Sequence, residues 1–305
     1  MIELRNMLLN KTAKVKPVYR RLLSSGLFTL NCALSGSYSA GIESGSVVWI
    51  SGSSDSGRTV AALTFLAEAA NSMAFDRYNL YFHDTENKRP QIKRLFGNKL
   101  SSRLNRITDC SLERFWDSFD DDKFPCLYVL DSLDGLTSDT VGWRVNNKHA
   151  KKMFDHIRVH DSILIILSQQ KIVDCKKVSS GGAALPFYSD YIIYTDSLGN
   201  RTAHSGEKSR TIGINARFEI IKRKYAGRFS AMPVPIFSDY GYDNAEAIID
   251  FLVLHRKITV DGIFEGAKWT FDDMGWTGVR DELLQYIREN EKVLGYYLER
   301  CAIDG

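Results

Sequence analysis

The 305-residue sequence lacks the features of a membrane or secreted protein. No apolar run approaches the roughly 20 residues that a membrane-spanning helix needs, and no signal-peptide pattern opens the chain. The five cysteines are odd in number, scattered and without a CxxC pair, which is typical of reduced thiols. We therefore expect no membrane partner and a cytoplasmic or equivalent interior location.

An excess of charge and internal repetition are also missing. The 40 basic and 37 acidic residues leave a net charge of +3, so a nucleic-acid-binding surface has to be local. No internal repeat or low-complexity segment is present. With 44% hydrophobic and 25% charged residues, the chain is long enough for one large α/β domain and a smaller one.

The strongest local signal lies in residues 46–60. A β-rich apolar run from Ser46 to Ile50 leads into a glycine-bracketed loop, and an alanine-rich helical stretch begins at Arg58. This arrangement favours anion binding, because backbone N–H groups and the positive end of the helix dipole face the loop. The spacing is that of a phosphate-binding loop, except that Arg58 stands where the pattern has lysine.

Two interpretations of this loop remain open, a nucleotide site and an ordinary turn of an α/β protein. Arg58 keeps the positive charge, but its planar guanidinium cannot reach the β- and γ-phosphates as a lysine ammonium does, so binding could survive while hydrolysis suffers. The hydroxyl of Thr59 is placed to meet Mg²⁺. The candidate nucleotide-binding residues are Gly52, Ser53, Ser54, Asp55, Ser56, Gly57, Arg58, Thr59 and Val60.

Three predicted strands end in polar residues, at 78–86, 125–131 and 162–169. Glu86 could polarise an attacking water beside a phosphate-binding loop, and Asp131 has the form of a Walker B carboxylate that orients Mg²⁺. The third strand ends in Ser168 and Gln169. The alternative for the end at Glu86 is a solvated strand terminus, and apolar runs that end in Asp, as at Asp131, are frequent.

Two polar segments suit a phosphate backbone. Residues 133–148 contain glycine, tryptophan and basic side chains, and residues 171–186 read as a long basic, glycine-rich loop. The alternative for the second segment is a mobile surface loop. The residues concerned are Gly142, Trp143, Arg144, Lys148, Lys171, Lys176, Lys177, Gly181 and Gly182.

The order of elements predicts an α/β fold, a mostly parallel sheet flanked by helices and extended by antiparallel strands at about 187–196, 211–222 and 228–237. Residues 1–26 are an amphipathic segment that either packs on its own domain or docks on a neighbouring subunit. We predict a core at 27–238 and a small α-rich C-terminal domain at 239–305, with helices at about 244–256 and 278–301.

Several motifs follow one another in a characteristic order. In addition to the phosphate-binding loop they are Leu30–Gly36, Ala40–Gly45, His83–Glu86, Val129–Leu133, Leu167–Gln169, Gly181–Tyr188 and Ile221–Lys224. This order resembles the RecA-type recombinases, and among them the phage-type UvsX proteins most closely, over residues 27–256 and more loosely beyond. The resemblance implies a RecA-like P-loop ATPase core with an N-terminal polymerisation segment.

The resemblance also implies an activity and its partners. An ATP-dependent recombinase, with ATP and Mg²⁺ as cofactors, would form helical filaments on single-stranded DNA and promote homologous pairing and strand exchange with double-stranded DNA. Its partners would be further copies of the chain and, beyond these, single-strand-binding and loader proteins. A phage protein acting inside a bacterial host is the implied setting.

The resemblance assigns roles to single residues. Glu86 matches the family's catalytic glutamate, and Gln169 matches its γ-phosphate-sensing glutamine. Thr59 and Asp131 match the residues that hold Mg²⁺. Residues 134–148 and 170–186 match the two DNA-binding loops. Lys222 and Lys224 match a lysine pair that reaches the neighbouring subunit's nucleotide, and an i, i+2 spacing on one strand would point both side chains the same way.

Two departures from the family pattern keep other interpretations open. Arg58 replaces the loop lysine, and the segment after Glu86 lacks the aromatic residue that would stack on adenine. The alternative is a catalytically weakened RecA-fold paralogue that acts as a filament-forming or accessory recombination protein. A hexameric RecA-fold helicase fits less well, because the C-terminal domain and the sequence at 181–188 resemble recombinases.

Overall fold

A computed structural model describes residues 20–88, 90–117, 124–137, 147–173, 176–179, 184–205, 208–262 and 266–301. The strands are β1 (Leu22–Leu23), β2 (Ile42–Glu43), β3 (Ser46–Gly52), β4 (Asn79–Asp84), β5 (Leu104–Ile107), β6 (Cys126–Asp131), β7 (Ile163–Val173), β8 (Lys176–Ser179), β9 (Tyr191–Ser205), β10 (Lys208–Lys222), β11 (Ala231–Phe237), β12 (Gly241–Tyr242), β13 (Thr259–Asp261), β14 (Lys268–Phe271) and β15 (Trp276–Gly278). The α-helices are α1 (Phe28–Ser35), α2 (Arg58–Asn71), α3 (Ile92–Arg103), α4 (Leu112–Asp117), α5 (Asn147–Val159), α6 (Ala184–Tyr188), α7 (Asn244–Leu254), α8 (Arg280–Glu289) and α9 (Glu291–Arg300).

One large sheet organises the molecule, in the order β12-β11-β10-β9-β3-β7-β6-β4-β5. The strands from β9 to β5 pair in parallel, whereas β9, β10, β11 and β12 form an antiparallel extension. Every residue of β3 and β6 is buried, as expected for parallel strands that are covered on both faces. The predicted fold class is confirmed.

The two faces of the sheet carry separate apolar cores because side chains alternate along each strand. Val48 and Ile50 of β3 belong to one core, which helix α2 covers. Val47 and Trp49 belong to the other, which helix α5 covers with Phe154. The result is a three-layer arrangement in which β3 lies at the centre.

The antiparallel part is longer than predicted. The segment at 171–186, expected to be a loop, contains the end of β7 and all of β8, which pair as a hairpin from Gln170 opposite Ser179 to Val173 opposite Lys176. The strands predicted at 187–196 and 211–222 are β9 and β10, which extend toward each other to Ser205 and Lys208. The sequence of these extensions is polar, and cross-strand backbone hydrogen bonds hold them without the apolar alternation on which the prediction relied.

The C-terminal part differs in detail from the prediction. The helical stretch expected at 278–301 is two helices, α8 and α9, and the preceding aromatic segment forms a three-stranded sheet, β13-β14-β15. Apolar side chains of α7, α8 and α9 join the same core as β3 and α2. The domain boundaries at 26 and 238 stay predictions, and residues 1–19 lie outside the described part. No helix of the described residues is long and apolar enough to span a membrane.

Candidate functional site

The residues predicted to handle nucleotide meet at one edge of the sheet. Strands β3, β7, β6 and β4 are parallel neighbours, and these residues lie in their C-terminal halves or directly after them. Gly52 is paired with Gln169, and Asp84 is paired with Asp131. The C-terminal edge of a parallel sheet is where such folds commonly bind ligands.

The phosphate-binding loop, Gly52–Thr59, is closed against strand β9. The Ser56 hydroxyl donates to the Ser53 carbonyl (2.7 Å) and shares a hydrogen bond with the Thr195 hydroxyl (2.6 Å). Ser54 and Asp55 are exposed at the tip of the loop. Gly57 has a left-handed φ of 84°, and a Cβ atom there would lie 2.0 Å from Cδ1 of Ile236. The backbone conformation therefore favours glycine at position 57, and a methyl group there would displace the end of the Ile236 side chain.

Arg58 directs its guanidinium into the protein. Its Nη1 donates a hydrogen bond to the Ser168 carbonyl in the middle of β7. Burial lowers the pKa of Arg58, and the charges of Asp131 and Asp134 oppose that shift. The loop's basic side chain thus ties helix α2 to the strand that continues into Gln169.

Thr59 and Asp131 form the pair predicted to hold Mg²⁺. The Thr59 hydroxyl donates to Oδ2 of Asp131 at 2.7 Å. Burial raises the pKa of Asp131, whereas the hydrogen bond from Thr59 and the charge of Lys88 lower it. Hydroxyl and carboxylate oxygens fit Mg²⁺, which typically takes one or two protein ligands together with phosphate oxygens and water. The described residues contain no cluster of three or more His, Cys, Asp or Glu that could hold a metal without such help.

Glu86 is held by two partners beside this pair. Ser132 donates its hydroxyl to Oε1 (2.9 Å), and Lys88 Nζ lies 2.7 Å from Oε2. Burial raises the pKa of Glu86, but the hydrogen bonds from Lys88 and Ser132 outweigh it, so the pKa lies below its usual value. Glu86 is therefore ionised at neutral pH, as a base that accepts a proton from water has to be.

Two hydrogen bonds join the chain segments that follow β4 and β6. The Thr85 hydroxyl donates to the Ser132 carbonyl and accepts from the Ser132 backbone N–H, both at 2.9 Å. The Asp131–Ser132 peptide bond is cis. On the next strand, the Gln169 backbone N–H donates to Oδ2 of Asp134 at 2.7 Å. Glu86, Asp131 and Gln169 are thus fixed relative to one another by hydrogen bonds between strand ends.

A cavity of about 430 Å³ opens over the loop. The loop and the start of α2 form one side, and the antiparallel extension forms the other with Ile214, Ile236 and Phe237. Lys88, Pro90 and Leu95 complete the lining near Glu86. Sequence reasoning missed the apolar wall, because β10 and β11 return to the loop only through sheet pairing and carry no motif that signals it.

Comparisons with known proteins fit this geometry. No protein-family model matches the chain. Protein RecA of Crocosphaera subtropica is 26% identical over 290 residues, which cover 89% of the chain and 79% of that protein. Protein RecA of Rippkaea orientalis is 26% identical over 294 residues, with the same coverage. The DNA repair protein recA homolog 1, chloroplastic, of Arabidopsis thaliana is 23% identical over 294 residues. The matches support a RecA-type family.

The sheet, its helices and its antiparallel extension form a RecA-like core. The match to the Arabidopsis homologue spans 88% of this chain and 62% of that protein. The chain thus corresponds to most of the length of these two bacterial relatives and to a smaller share of the chloroplast one. The activity of these relatives is therefore only proposed for this chain.

Lys222 and Lys224 lie at the opposite edge of the RecA-like core. Lys222 Nζ donates to the carbonyls of Pro186 and Phe187 (3.3 and 3.1 Å), and Lys224 Nζ donates to the Ser46 hydroxyl (2.9 Å). Strand β10 ends at Lys222, so the prediction that both lysines share a strand face is wrong. Ser46 begins β3, whose seven residues span about 20 Å, so these lysines face away from their own phosphate-binding loop.

The predicted DNA-binding residues of the RecA-like core are described in part. Gly142, Trp143, Arg144, Gly181 and Gly182 lie outside the described residues. The backbone of Lys148 lies in α5. The backbones of Lys171, Lys176 and Lys177 lie in the β7–β8 hairpin, which begins at Gln170, directly after Gln169. Three of the predicted DNA contacts thus belong to a hairpin that continues the strand of the predicted γ-phosphate sensor.

Proposed function

We propose that the protein is an ATP-dependent DNA recombinase of the phage UvsX-like type. It would act as a DNA-dependent ATPase, form helical filaments on single-stranded DNA, and promote homologous pairing and strand exchange. One observation carries the proposal: β7, whose Gln169 is paired with Gly52 at the start of the phosphate-binding loop, continues without interruption into a basic hairpin. A nucleotide sensor and a DNA-binding element on one strand are the parts of an ATP-gated DNA-binding protein.

The cavity supports a mode of nucleotide binding and hydrolysis. The triphosphate binds the backbone N–H groups of Gly52–Thr59, and the base lies against the apolar wall of the cavity. Thr59 and Asp131 would hold Mg²⁺, which would neutralise part of the phosphate charge. Glu86, ionised and oriented by Ser132, accepts the proton of the attacking water.

Coupling between nucleotide binding and DNA binding depends on β7. Arg58 binds the carbonyl of Ser168, and Asp134 binds the N–H of Gln169, so a shift of the phosphate-binding loop acts on the strand next to the hairpin. ATP would favour the arrangement in which the hairpin binds DNA, and DNA affinity would rise by the same coupling. Contacts from Arg144, Lys148, Lys171, Lys176 and Lys177 would be mainly to phosphate, hence salt-sensitive and weakly selective for sequence.

Filament formation depends on the edge of the sheet opposite the phosphate-binding loop. Lys222 and Lys224 face away from their own loop, so their contact with a nucleotide requires a second subunit. An interface between two different faces of the same chain repeats as a helix when it does not close into a ring. The sequence at 181–188 resembles recombinases, which supports this arrangement over a closed hexamer, and single-strand-binding and loader proteins would act on such a filament.

The first test is binding of labelled single-stranded DNA by fluorescence anisotropy with no nucleotide, with ATP and with ADP, alongside phosphate release. We expect tighter, cooperative binding with ATP and DNA-dependent release of phosphate. Anisotropy that is indifferent to nucleotide would remove the coupling through Gln169 and contradict the recombinase proposal. The same titrations at 50 and 200 mM salt should show a loss of affinity as salt rises.

A second candidate function is a filament-forming paralogue with little turnover. The observation that favours it is Arg58, whose guanidinium is engaged by the Ser168 carbonyl. In the anisotropy experiment this protein would show ATP-enhanced DNA binding without phosphate release. The two candidates therefore predict the same binding curves and differ in the phosphate signal.

Lys222→Ala tests the contact between subunits. We expect ATP binding by the isolated protomer to stay within about twofold of wild type, whereas cooperative assembly on DNA is lost, because the nucleotide at the interface loses a cation. Electron microscopy and the steepness of the DNA titration measure assembly. Lys268→Ala, at an exposed lysine on β14, is the matched control. Normal filaments of Lys222→Ala on DNA would contradict the assignment.

A further inference from the structure

The nucleotide cavity contains two positive charges among the described residues that line it, Arg58 and Lys88. The position where the loop pattern has a lysine is occupied by Arg58, and its guanidinium binds a carbonyl of β7. That hydrogen bond and the burial of the side chain hold the Arg58 guanidinium inside the protein. Lys88 is therefore the basic side chain of this lining that is left to face a triphosphate within one subunit.

Lys88 reaches the cavity through a sharp turn after Glu86. Asn87 has a left-handed φ of 51°, and the Lys88 backbone N–H donates to Oδ1 of Asp84 at 3.0 Å. The chain thus reverses within two residues of Glu86, which returns Lys88 to the strand end. Its Nζ lies 2.7 Å from Oε2 of Glu86, and its side chain is 49% exposed. The charge of Lys88 also lowers the pKa of Asp131, one of the two residues proposed to hold Mg²⁺.

We propose that Lys88 supplies the ammonium that the phosphate-binding loop lacks. Nζ is paired with Glu86 in this structure, and when a triphosphate binds, Nζ moves to its γ-phosphate oxygens. The exchange releases Glu86 to accept a proton from water. The inference rests on the proposed nucleotide site and names the cation that selects triphosphate over diphosphate.

The chemistry of the pair suits this exchange. Lysine carries a compact, strongly hydrated charge on a flexible four-carbon stem, which can swing between two partners, whereas the planar guanidinium of Arg58 is held by its hydrogen bond. An ion pair whose members are both accessible to water is weak. A phosphate oxygen is a stronger partner for the ammonium, because the triphosphate carries more negative charge than one carboxylate.

The test compares the affinities of fluorescent ATP and ADP analogues for the full chain. We expect Lys88→Ala to raise the Kd for the ATP analogue about tenfold or more, the loss of one hydrogen bond between charged groups, and the Kd for the ADP analogue by less than threefold. Lys88→Arg should retain most of the preference for ATP. Lys93→Ala, at an exposed lysine of α3, should match wild type.

A double variant makes the test specific to position. In Arg58→Lys/Lys88→Ala the lysine is restored to the loop, and we expect the preference for the ATP analogue to return. ATP affinity of Lys88→Ala equal to wild type, or an equal loss for both analogues, would overturn the inference. A wild-type chain that binds neither analogue would overturn the proposed nucleotide site itself, which is a different result. The measurement does not require turnover.

Discussion

Glu86→Gln is expected to reduce DNA-dependent phosphate release by about 100-fold or more, the usual share of a general base. The amide keeps the size of the side chain and can still bind the Ser132 hydroxyl, but it cannot accept a proton from water. ATP binding should stay within about threefold of wild type. Single-turnover phosphate release and nucleotide titration measure the two effects separately.

The same variant should prolong the DNA-bound state. If hydrolysis releases the filament, DNA anisotropy with ATP will remain high in Glu86→Gln after it has decayed in wild type. Glu289→Gln, at an exposed carboxylate on α8, is the matched control and should behave as wild type. Phosphate release by Glu86→Gln at the wild-type rate would show that another group activates the water.

Gly57→Ala is expected to weaken nucleotide binding by about 100-fold. The new methyl group would lie 2.0 Å from Cδ1 of Ile236, and a φ of 84° is unfavourable for alanine. The Cδ1 atom of Ile236 has to turn away, and the strained backbone shifts the loop, whose N–H groups are proposed to bind the phosphates. Titration with a fluorescent ATP analogue measures the loss, and circular dichroism on heating reports whether the fold persists.

Two further variants separate the steric effect from the backbone strain. Gly275→Ala has a left-handed φ of 61° with nothing within 4 Å, so it should cost about 1–2 kcal/mol of stability and leave nucleotide affinity unchanged. Ile236→Val removes the Cδ1 atom, and in the double variant Gly57→Ala/Ile236→Val we expect nucleotide affinity to recover in part. Affinity of Gly57→Ala close to wild type would mean that phosphate does not depend on the conformation of this loop.

The sequence determined the fold class and the order of the site. Buried parallel strands are near-continuous apolar runs, as in β3 and β6, and such runs are visible without a structure. The spacing of glycines in the phosphate-binding loop is local, and so is the position of Glu86, Asp131 and Gln169 after apolar runs. Because the C-terminal ends of neighbouring parallel strands meet at one edge, these local signals were enough to predict that the residues come together.

Only the tertiary structure decided which partner each side chain has. Arg58 binds a carbonyl 110 residues away in the chain, and Lys88 lines the cavity because a left-handed residue reverses the chain. The apolar wall of the cavity comes from β10 and β11, and Lys222 and Lys224 lie at the edge away from the loop. Contacts of this kind depend on how distant strands pair and on where their ends meet, and neither leaves a periodic pattern in the sequence.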